Sequence, residues 1–222
     1  MNKTVVVTID GPAGAGKSTV AKQLAKAMSF SYLDTGAMYR ALTLKAMREK
    51  VNLESEADLV RLAQRTNIHL EGNTQTGLKV FLDGDDVSEA IRSLEVTNNT
   101  FYIARAPGVR EIMVGWQRAI GQKNNVVVEG RDVGTVVFPT AKHKFYLDAD
   151  FAERARRRIQ ELRDKGKGID ETQLKQDLKE RDEKDFTRKV GPLKKAADAV
   201  VIDSTGLTVD GVVQAILAHI RK

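Results

Sequence analysis

The 222-residue chain has no cysteine, which excludes disulfides, thiolate metal sites and cysteine nucleophiles and is typical of a reducing compartment. Aromatic residues make up only 5%, so base-stacking platforms for single-stranded nucleic acid are not favoured. No apolar run approaches the roughly 20 residues that a membrane-spanning helix needs. The N-terminal stretch 1–7 has one lysine and an apolar run too short for a secretory signal. These absences predict a cytoplasmic protein.

Charged residues, by contrast, are abundant. There are 36 Lys and Arg against 30 Asp and Glu, a net charge of +6, which favours anionic partners. The basic residues cluster at 154–163 and 181–195, where acidic residues interrupt them. With 41% hydrophobic residues, the chain has enough apolar side chains for one globular domain. Without an exposed apolar stripe in the sequence, we expect a monomer.

Short β-branched runs alternate with segments of helical period. The predicted strands are Val5–Ile9, Tyr32–Leu33, Val126–Val128, Lys144–Leu147 and Ala199–Ile202. The predicted helices are Ser18–Met28, Ala37–Arg48, Ser93–Ile120 with a break at Pro107, charged helices between the last two strands, and Thr208–Ile220. This alternation predicts an α/β protein with a parallel sheet covered on both faces.

One segment departs from the alternation. Residues 67–90 show a period of two, with a turn predicted at Gly72–Gly77 and another at Asp83-Gly84. The pattern predicts an antiparallel ribbon of two or three strands, inserted into the alternating chain.

The loop after the first strand carries the most specific short motif. Residues 11–18, Gly-Pro-Ala-Gly-Ala-Gly-Lys-Ser, match the complete phosphate-binding P-loop pattern between a strand and a helix. Its backbone N–H groups and the helix N-terminus favour phosphate, Lys17 supplies a charge to the β- and γ-phosphates, and the Ser18 hydroxyl binds Mg²⁺. The motif predicts a nucleoside triphosphate site but does not identify the acceptor.

Charged residues follow two other predicted strands at their carboxyl ends, where open α/β sheets bind ligands. Thr35 and Arg40 follow the second strand and are suited to an acceptor's base, ribose or phosphate; a helix cap with a surface arginine is the alternative. Arg131 and Asp132 follow the strand Val126–Val128, and a buried structural Arg–Asp pair is the alternative there.

Two helical segments carry further arginines. Arg181, Asp185 and Arg188 have i, i+4, i+7 spacing and could share one helical face toward a cleft, with solvent-facing ion pairs as the alternative. Four arginines, Arg154 and Arg156–Arg158, lead to Gly166 and Gly168, which allow motion. This segment predicts a flap that excludes water during phosphoryl transfer. The pattern does not indicate which arginine enters the site.

Together these segments resemble the bacterial cytidylate kinases of the nucleoside monophosphate kinase superfamily. The resemblance runs through nearly the whole chain, over 10–18, 34–40, 129–138 (EGRDVGTVVF), 180–188 (ERDEKDFTR) and 192–203. It implies a three-layer P-loop fold with a five-stranded parallel sheet, a core (about 1–60, 95–150 and 190–222), an acceptor-binding insertion (about 61–94) and a mobile lid with its following helix (about 151–189).

The resemblance also implies roles. ATP with Mg²⁺ would phosphorylate CMP or dCMP, with no nucleic acid or membrane partner. The implied catalytic residues are Lys17, Arg131, Arg157 and Arg188. The implied ATP-binding residues are Gly11, Pro12, Ala13, Gly14, Ala15, Gly16, Lys17, Ser18, Thr19 and Arg157. The implied acceptor-binding residues are Thr35, Arg40, Arg110, Arg131, Asp132, Arg181, Asp185 and Arg188.

Some alternatives stay open at the level of sequence. Where the family often has a small hydroxyl residue before Pro107, Thr100 either takes that role or the contact is lost. Glu129 could hold a magnesium-bound water. A dual UMP/CMP enzyme is compatible with the residues, and so is a basic P-loop protein that binds RNA, although no RNA-binding signature is present.

Overall fold

A computed structural model describes residues 4–71, 78–164, 166, 168 and 170–221. The first half of the chain runs β1 (Val6–Asp10), α1 (Lys17–Met28), β2 (Ser31–Asp34), α2 (Thr35–Arg48), α3 (Glu56–Gln64), β3 (Ile68–Glu71), β4 (Lys79–Leu82) and β5 (Asp85–Asp86). After a 3₁₀ turn at Ala90–Arg92, the second half runs α4 (Leu94–Arg105), α5 (Pro107–Lys123), β6 (Val126–Gly130), a π-helical turn (Val133–Val137), β7 (His143–Asp148), α6 (Phe151–Asp164), α7 (Glu171–Thr187), β8 (Val200–Asp203) and α8 (Val209–Ile220).

The main sheet has five parallel strands in the order β2-β6-β1-β7-β8. All five residues of β6 are buried, as are Val7 and Ile9 on the adjacent β1 and Phe145 and Leu147 on β7, the next strand. Strands covered on both faces must be apolar on both, which explains their runs of β-branched residues. The predicted parallel sheet and its five strands are confirmed.

The described residues form two compact units. Unit 1 comprises Met1–Val6 and Ala25–Val128, and unit 2 comprises Val7–Leu24 and Glu129–Lys222. The division into core, insertion and lid within one domain stays a prediction. No helix in the described part of the chain is long and apolar enough to cross a membrane.

In unit 1, the predicted antiparallel ribbon is present as β3-β4-β5. Ile68 pairs with Leu82, and the apolar face of the ribbon packs on α2 in a buried cluster of Ala37, Ala41, Val80, Leu82, Val87 and Ile91. The ammonium of Lys45 on α2 lies 2.6 Å from the Asp83 carboxylate at the second turn. The ribbon is therefore fixed to α2 by apolar packing and one ion pair. The turn predicted at 72–77 lies outside the described residues.

Helix α3 was not predicted, although its sequence carries a start signal. The Ser55 hydroxyl caps it by accepting from the Asp58 N–H, and Leu59, Leu62 and Ala63 are buried at helical spacing. The predicted break at Pro107 is confirmed, because Ala106 is extended and Pro107 occupies the first turn of α5.

Candidate active site

The P-loop in unit 2 connects β1 to α1. Gly14 has φ +78°, and a Cβ at this position would lie 2.9 Å from the backbone oxygen of Arg154, so a larger residue fits neither the conformation nor the space. The ammonium of Lys17 donates to the Pro12 carbonyl at 2.7 Å and closes the loop on itself. The predicted strand–loop–helix arrangement is therefore present.

Lys17 is almost completely buried, with 5% of its surface exposed. Burial, with the nearby guanidinium of Arg131 acting in the same direction, lowers the pKa of Lys17 to about 7, although Glu129 acts in the opposite direction. Burial has removed the water that would stabilise the charged ammonium, so an anionic partner would stabilise it instead. This is the environment that a phosphate-binding lysine requires.

The donor set also fits magnesium. Ser18 and Thr19 are exposed in the first turn of α1, and a hydroxyl oxygen is a hard ligand that suits Mg²⁺. Within the described ranges, no cluster of three or more Asp, Glu or His could form an all-protein metal site. A magnesium ion at Ser18 would therefore be held largely by the nucleotide and by water.

Asp10, the last residue of β1, links the P-loop strand to the segment after β6. One carboxylate oxygen accepts from the Val133 N–H at 2.8 Å and the other from the Gly134 N–H at 2.7 Å. The pKa of Asp10 is nevertheless raised to about 6, chiefly by burial and also by the charge of Asp132, because the two backbone hydrogen bonds and Lys17 compensate only in part. The sequence analysis did not single out this residue.

Two arginine–carboxylate pairs lie beyond the end of β6. Arg131 donates to Asp185 at 2.7 Å, and Arg188 lies 3.4 Å from Asp132. Burial alone would lower the pKa of Arg131, but the Asp185 carboxylate raises it. Burial alone would raise the pKa of Asp185, but Arg131 and, to a smaller extent, Arg181 hold it below its usual range. Arg131 and Asp132 thus each have a partner on or after α7.

The prediction that Arg188 shares a helical face with Arg181 and Asp185 is wrong. Helix α7 ends at Thr187, and Arg188 is its extended C-cap with φ −60° and ψ 139°. The helix stops because the chain turns back after it. The Leu193 N–H donates to the Asp185 carbonyl at 2.7 Å, a carbonyl that a further helical turn would have used for its own hydrogen bond. Arg188 is nevertheless buried, donates to the Gly191 carbonyl and lies 3.8 Å from Asp185.

The arginines of α6 have different environments. Arg157 donates to the Ser204 carbonyl at 2.6 Å, to the Ser204 hydroxyl at 3.0 Å and to the P-loop carbonyl of Ala15 at 3.5 Å. Arg156 and Arg158 form ion pairs with acidic residues of their own helix. Arg157 is thus the arginine of these three that contacts the P-loop. Lys165 and Lys167, in the proposed flexible stretch, lie outside the described residues.

In unit 1, Asp34 and Arg40 form a pair at the end of β2. The Asp34 carboxylate caps α2 by accepting from the Ala37 N–H at 2.8 Å and binds Arg40 at 3.0 Å. A Cβ on Gly36 would lie 2.9 Å from the Arg40 guanidinium, so this glycine allows the close approach. The helix-cap alternative is therefore correct for Asp34, while Arg40 is mostly buried and not a surface charge.

Two other residues of unit 1, Thr35 and Arg110, belong to the predicted site, and the sequence leaves the role of a third, Thr100, open. Thr35 is buried as the first residue of α2. Arg110, also buried, lies over the ring of Tyr39 at 5.8 Å and donates to the Ala104 carbonyl at 3.4 Å. The Thr100 hydroxyl donates to the Val96 carbonyl at 2.7 Å and lies 3.4 Å from that of Thr43.

A parallel α/β sheet whose first strand leads into a P-loop, with arginine–carboxylate pairs beyond another strand, defines a P-loop phosphotransferase. The comparisons identify the family. The sequence model of the cytidylate kinase family matches residues 7–222. The chain belongs to the cytidylate kinase family.

Two relatives illustrate the similarity. The chain is 49% identical to a cytidylate kinase of Caldanaerobacter subterraneus over 222 residues, which cover 100% of this chain and 97% of the relative. It is 50% identical to a cytidylate kinase of Desulforamulus reducens over 223 residues, covering 100% and 99%. The likeness therefore includes every segment described above.

Solved structures support the fold. A shikimate kinase of Bacteroides thetaiotaomicron aligns with a TM-score of 0.50 at 14% identity, covering 98% of this chain and 99% of that one. An uncharacterized protein of Eubacterium ventriosum aligns with a TM-score of 0.55, also at 14% identity, covering 99% of both chains. At such low identity the likeness concerns the fold alone.

Proposed function

We propose that the protein transfers the γ-phosphoryl group of ATP to CMP and dCMP in pyrimidine nucleotide metabolism, giving ADP with CDP or dCDP. Family membership over nearly the whole chain supports this reaction. The observation that carries it is the set of largely buried arginines and carboxylates, Arg131, Asp132, Asp185 and Arg188, in the same unit as the P-loop. Largely buried guanidinium groups of this kind are suited to bind the phosphate of an acceptor beside the ATP phosphates.

ATP occupies the P-loop in this proposal. The backbone of residues 11–19 surrounds its phosphates, Lys17 contacts the β- and γ-phosphates, and Ser18 binds Mg²⁺, which neutralises the triphosphate when it is bound. Glu129, buried at the end of β6, would hold a magnesium-bound water. Arg157 is assigned to ATP, since it already contacts the P-loop carbonyl of Ala15.

The nucleoside monophosphate takes the remaining charged groups. Arg131 and Arg188 bind the acceptor phosphate, exchanging their carboxylate partners for it. Asp185, with Arg181 and Asp132, then binds ribose and base. Thr35, Arg40 and Arg110 of unit 1 are assigned to the acceptor as well, and Arg40 would release Asp34 in the same way. Preformed partners keep the guanidinium groups oriented before the substrate arrives.

The chemistry needs no general base, because the acceptor's phosphate oxygen is already anionic. That oxygen forms a bond to the γ-phosphorus while the bond to the β–γ bridging oxygen breaks and ADP leaves. Lys17, Arg131, Arg157 and Arg188 stabilise the charge on the transferring group. We propose a cytoplasmic monomer whose partners are these small molecules.

The test is ADP release with ATP, Mg²⁺ and a panel of CMP, dCMP, UMP, AMP and dTMP. We expect strong turnover with CMP and dCMP. Comparable turnover with UMP would indicate a dual enzyme, and turnover with AMP or dTMP instead would refute the acceptor assignment. Binding of ATP without turnover on any acceptor would refute the kinase proposal.

A further inference from the structure

One buried ion pair in unit 2 has no part in the proposed chemistry. Arg154 on α6 and Asp182 on α7 are 8% and 7% exposed, and the Arg154 guanidinium donates to the Asp182 carboxylate. Buried charges of this kind are costly to desolvate and need compensation from further hydrogen bonds. The partners of these two residues therefore indicate what the pair does.

Both side chains bond the backbone of the same P-loop residue, Ala13, on the two peptide groups that flank it. The Ala13 N–H donates to one oxygen of Asp182 at 3.3 Å, and the Ala13 carbonyl accepts from Arg154 at 2.9 Å. A second nitrogen of Arg154 donates to the Ala149 carbonyl at 3.0 Å, at the start of α6. We name this arrangement, Ala13 with Arg154 and Asp182, the Ala13 clamp.

Ala13 precedes Gly14, whose positive φ sets the shape of the loop. Fixing both polar groups of the Ala13 residue fixes the direction in which the neighbouring amides point. Because a P-loop binds phosphate mainly through the direction of its amides, their orientation before ATP arrives affects affinity. An unfixed loop would have to be ordered at the expense of binding free energy.

We propose that Arg154 and Asp182 are positioning residues that hold the phosphate-binding loop in its ATP-binding conformation through the backbone N–H and carbonyl of Ala13. The inference rests on the proposed ATP site. It also makes α7 a connection between two parts of unit 2, because Asp185, one turn after Asp182, binds Arg131 beyond β6. Neither clamp residue needs to touch a substrate.

A double substitution separates this role from a contribution to folding. Ala13, Ala155 and Leu178 already form a buried apolar cluster beside the clamp. In Arg154→Met/Asp182→Leu, two apolar side chains would extend that cluster, and replacing a buried ion pair in this way often preserves stability. The matched control is Arg163→Met/Glu171→Leu, which removes an exposed ion pair between the same two helices.

Binding of ADP is measured by calorimetry, and exchange of the Ala13 amide by hydrogen–deuterium exchange. We expect the Arg154→Met/Asp182→Leu variant to unfold at a urea concentration close to that of the parent. It should bind ADP about tenfold more weakly, the effect of losing one charge-assisted hydrogen bond, and exchange its Ala13 amide faster. The control variant should match the parent in both measurements.

Parent-like ADP affinity and Ala13 protection in the double variant would overturn the proposal. If that variant does not fold, Asp182→Asn serves instead, since it preserves the shape but removes the charge opposite Arg154; unchanged affinity there would also overturn it. Failure of CMP phosphorylation with normal ADP binding by the parent would refute the proposed acceptor and leave the clamp intact. A parent that does not bind ADP would refute both.

Discussion

Asp10 gives a prediction of how stability depends on pH. Its pKa is about 6 in the folded protein, against 3.8 for an ordinary aspartate. Because the folded state holds the proton more tightly, the contribution of this group to stability is present at low pH and is lost as pH rises through about 6. At pH 5, one unit below the folded pKa, the expected gain over pH 7.5 is about 1.4 kcal/mol.

The perturbation is Asp10→Asn, which removes the titrating group. Other groups titrate between pH 5 and 7.5, but they are shared by both proteins and largely cancel when the two are compared. Urea unfolding at pH 7.5 and 5.0, followed by circular dichroism, gives the free energy of unfolding of each. The free energy of unfolding of the parent, relative to that of the variant, should be about 1.4 kcal/mol higher at pH 5 than at pH 7.5.

Asp177→Asn is the matched control, because Asp177 is a partly exposed aspartate on α7. Its difference from the parent should stay nearly constant between the two pH values. Parallel stability profiles for the parent and Asp10→Asn would refute the reasoning, since they would mean that burial does not raise the pKa of this carboxyl. A shift in the opposite direction would mean that its two backbone hydrogen bonds outweigh burial.

Three other predictions concern the proposed reaction. Lys17→Ala should lower kcat by orders of magnitude while the circular dichroism spectrum is retained; near-normal turnover would refute the P-loop assignment. Asp185→Ala leaves Arg131 without its carboxylate partner and should change kcat/KM for CMP and dCMP unequally; an unchanged ratio would refute its role at the ribose. Gly36→Ala places a Cβ 2.9 Å from the Arg40 guanidinium and should raise the KM for CMP several-fold with ADP affinity unaltered; weaker ADP binding would contradict that assignment.

The features that were predictable from sequence are those that local chemistry determines. Val126–Val128 is a β-branched apolar run, which predicts a buried strand without knowledge of its neighbours. The P-loop is similarly local, because its glycines, Lys17 and Ser18 act within eight consecutive residues. Helix α3 carried local signals in Ser55 and in the spacing of Leu59, Leu62 and Ala63, but it has only nine residues, too few for a long periodic pattern.

Charge pairing could not be predicted in the same way. Arg131 stands beside Asp132 in the sequence, yet its partner is Asp185, which is 54 residues away. Adjacent residues in an irregular segment have no fixed relative direction, whereas the return of the chain after α7 brings distant side chains together. The end of α7 could not be predicted for the same reason, since the Leu193 N–H that bonds its Asp185 carbonyl comes from beyond the helix.

The arginines of α6 show most clearly what burial adds to sequence. Arg154 and Arg158 are four residues apart and share a helical face, so periodicity assigns them the same environment. Arg154 is nevertheless buried against the P-loop, because it lies in the first turn, directly after β7 delivers the chain to that end of the sheet. One turn later, Arg158 already pairs with Glu161 at a partly exposed position. An arginine-rich segment therefore does not have to be a set of catalytic candidates: on the face shared by Arg154 and Arg158 only the residue nearer to the strand contacts the phosphate loop in the described structure, and that contact is with the loop's own backbone.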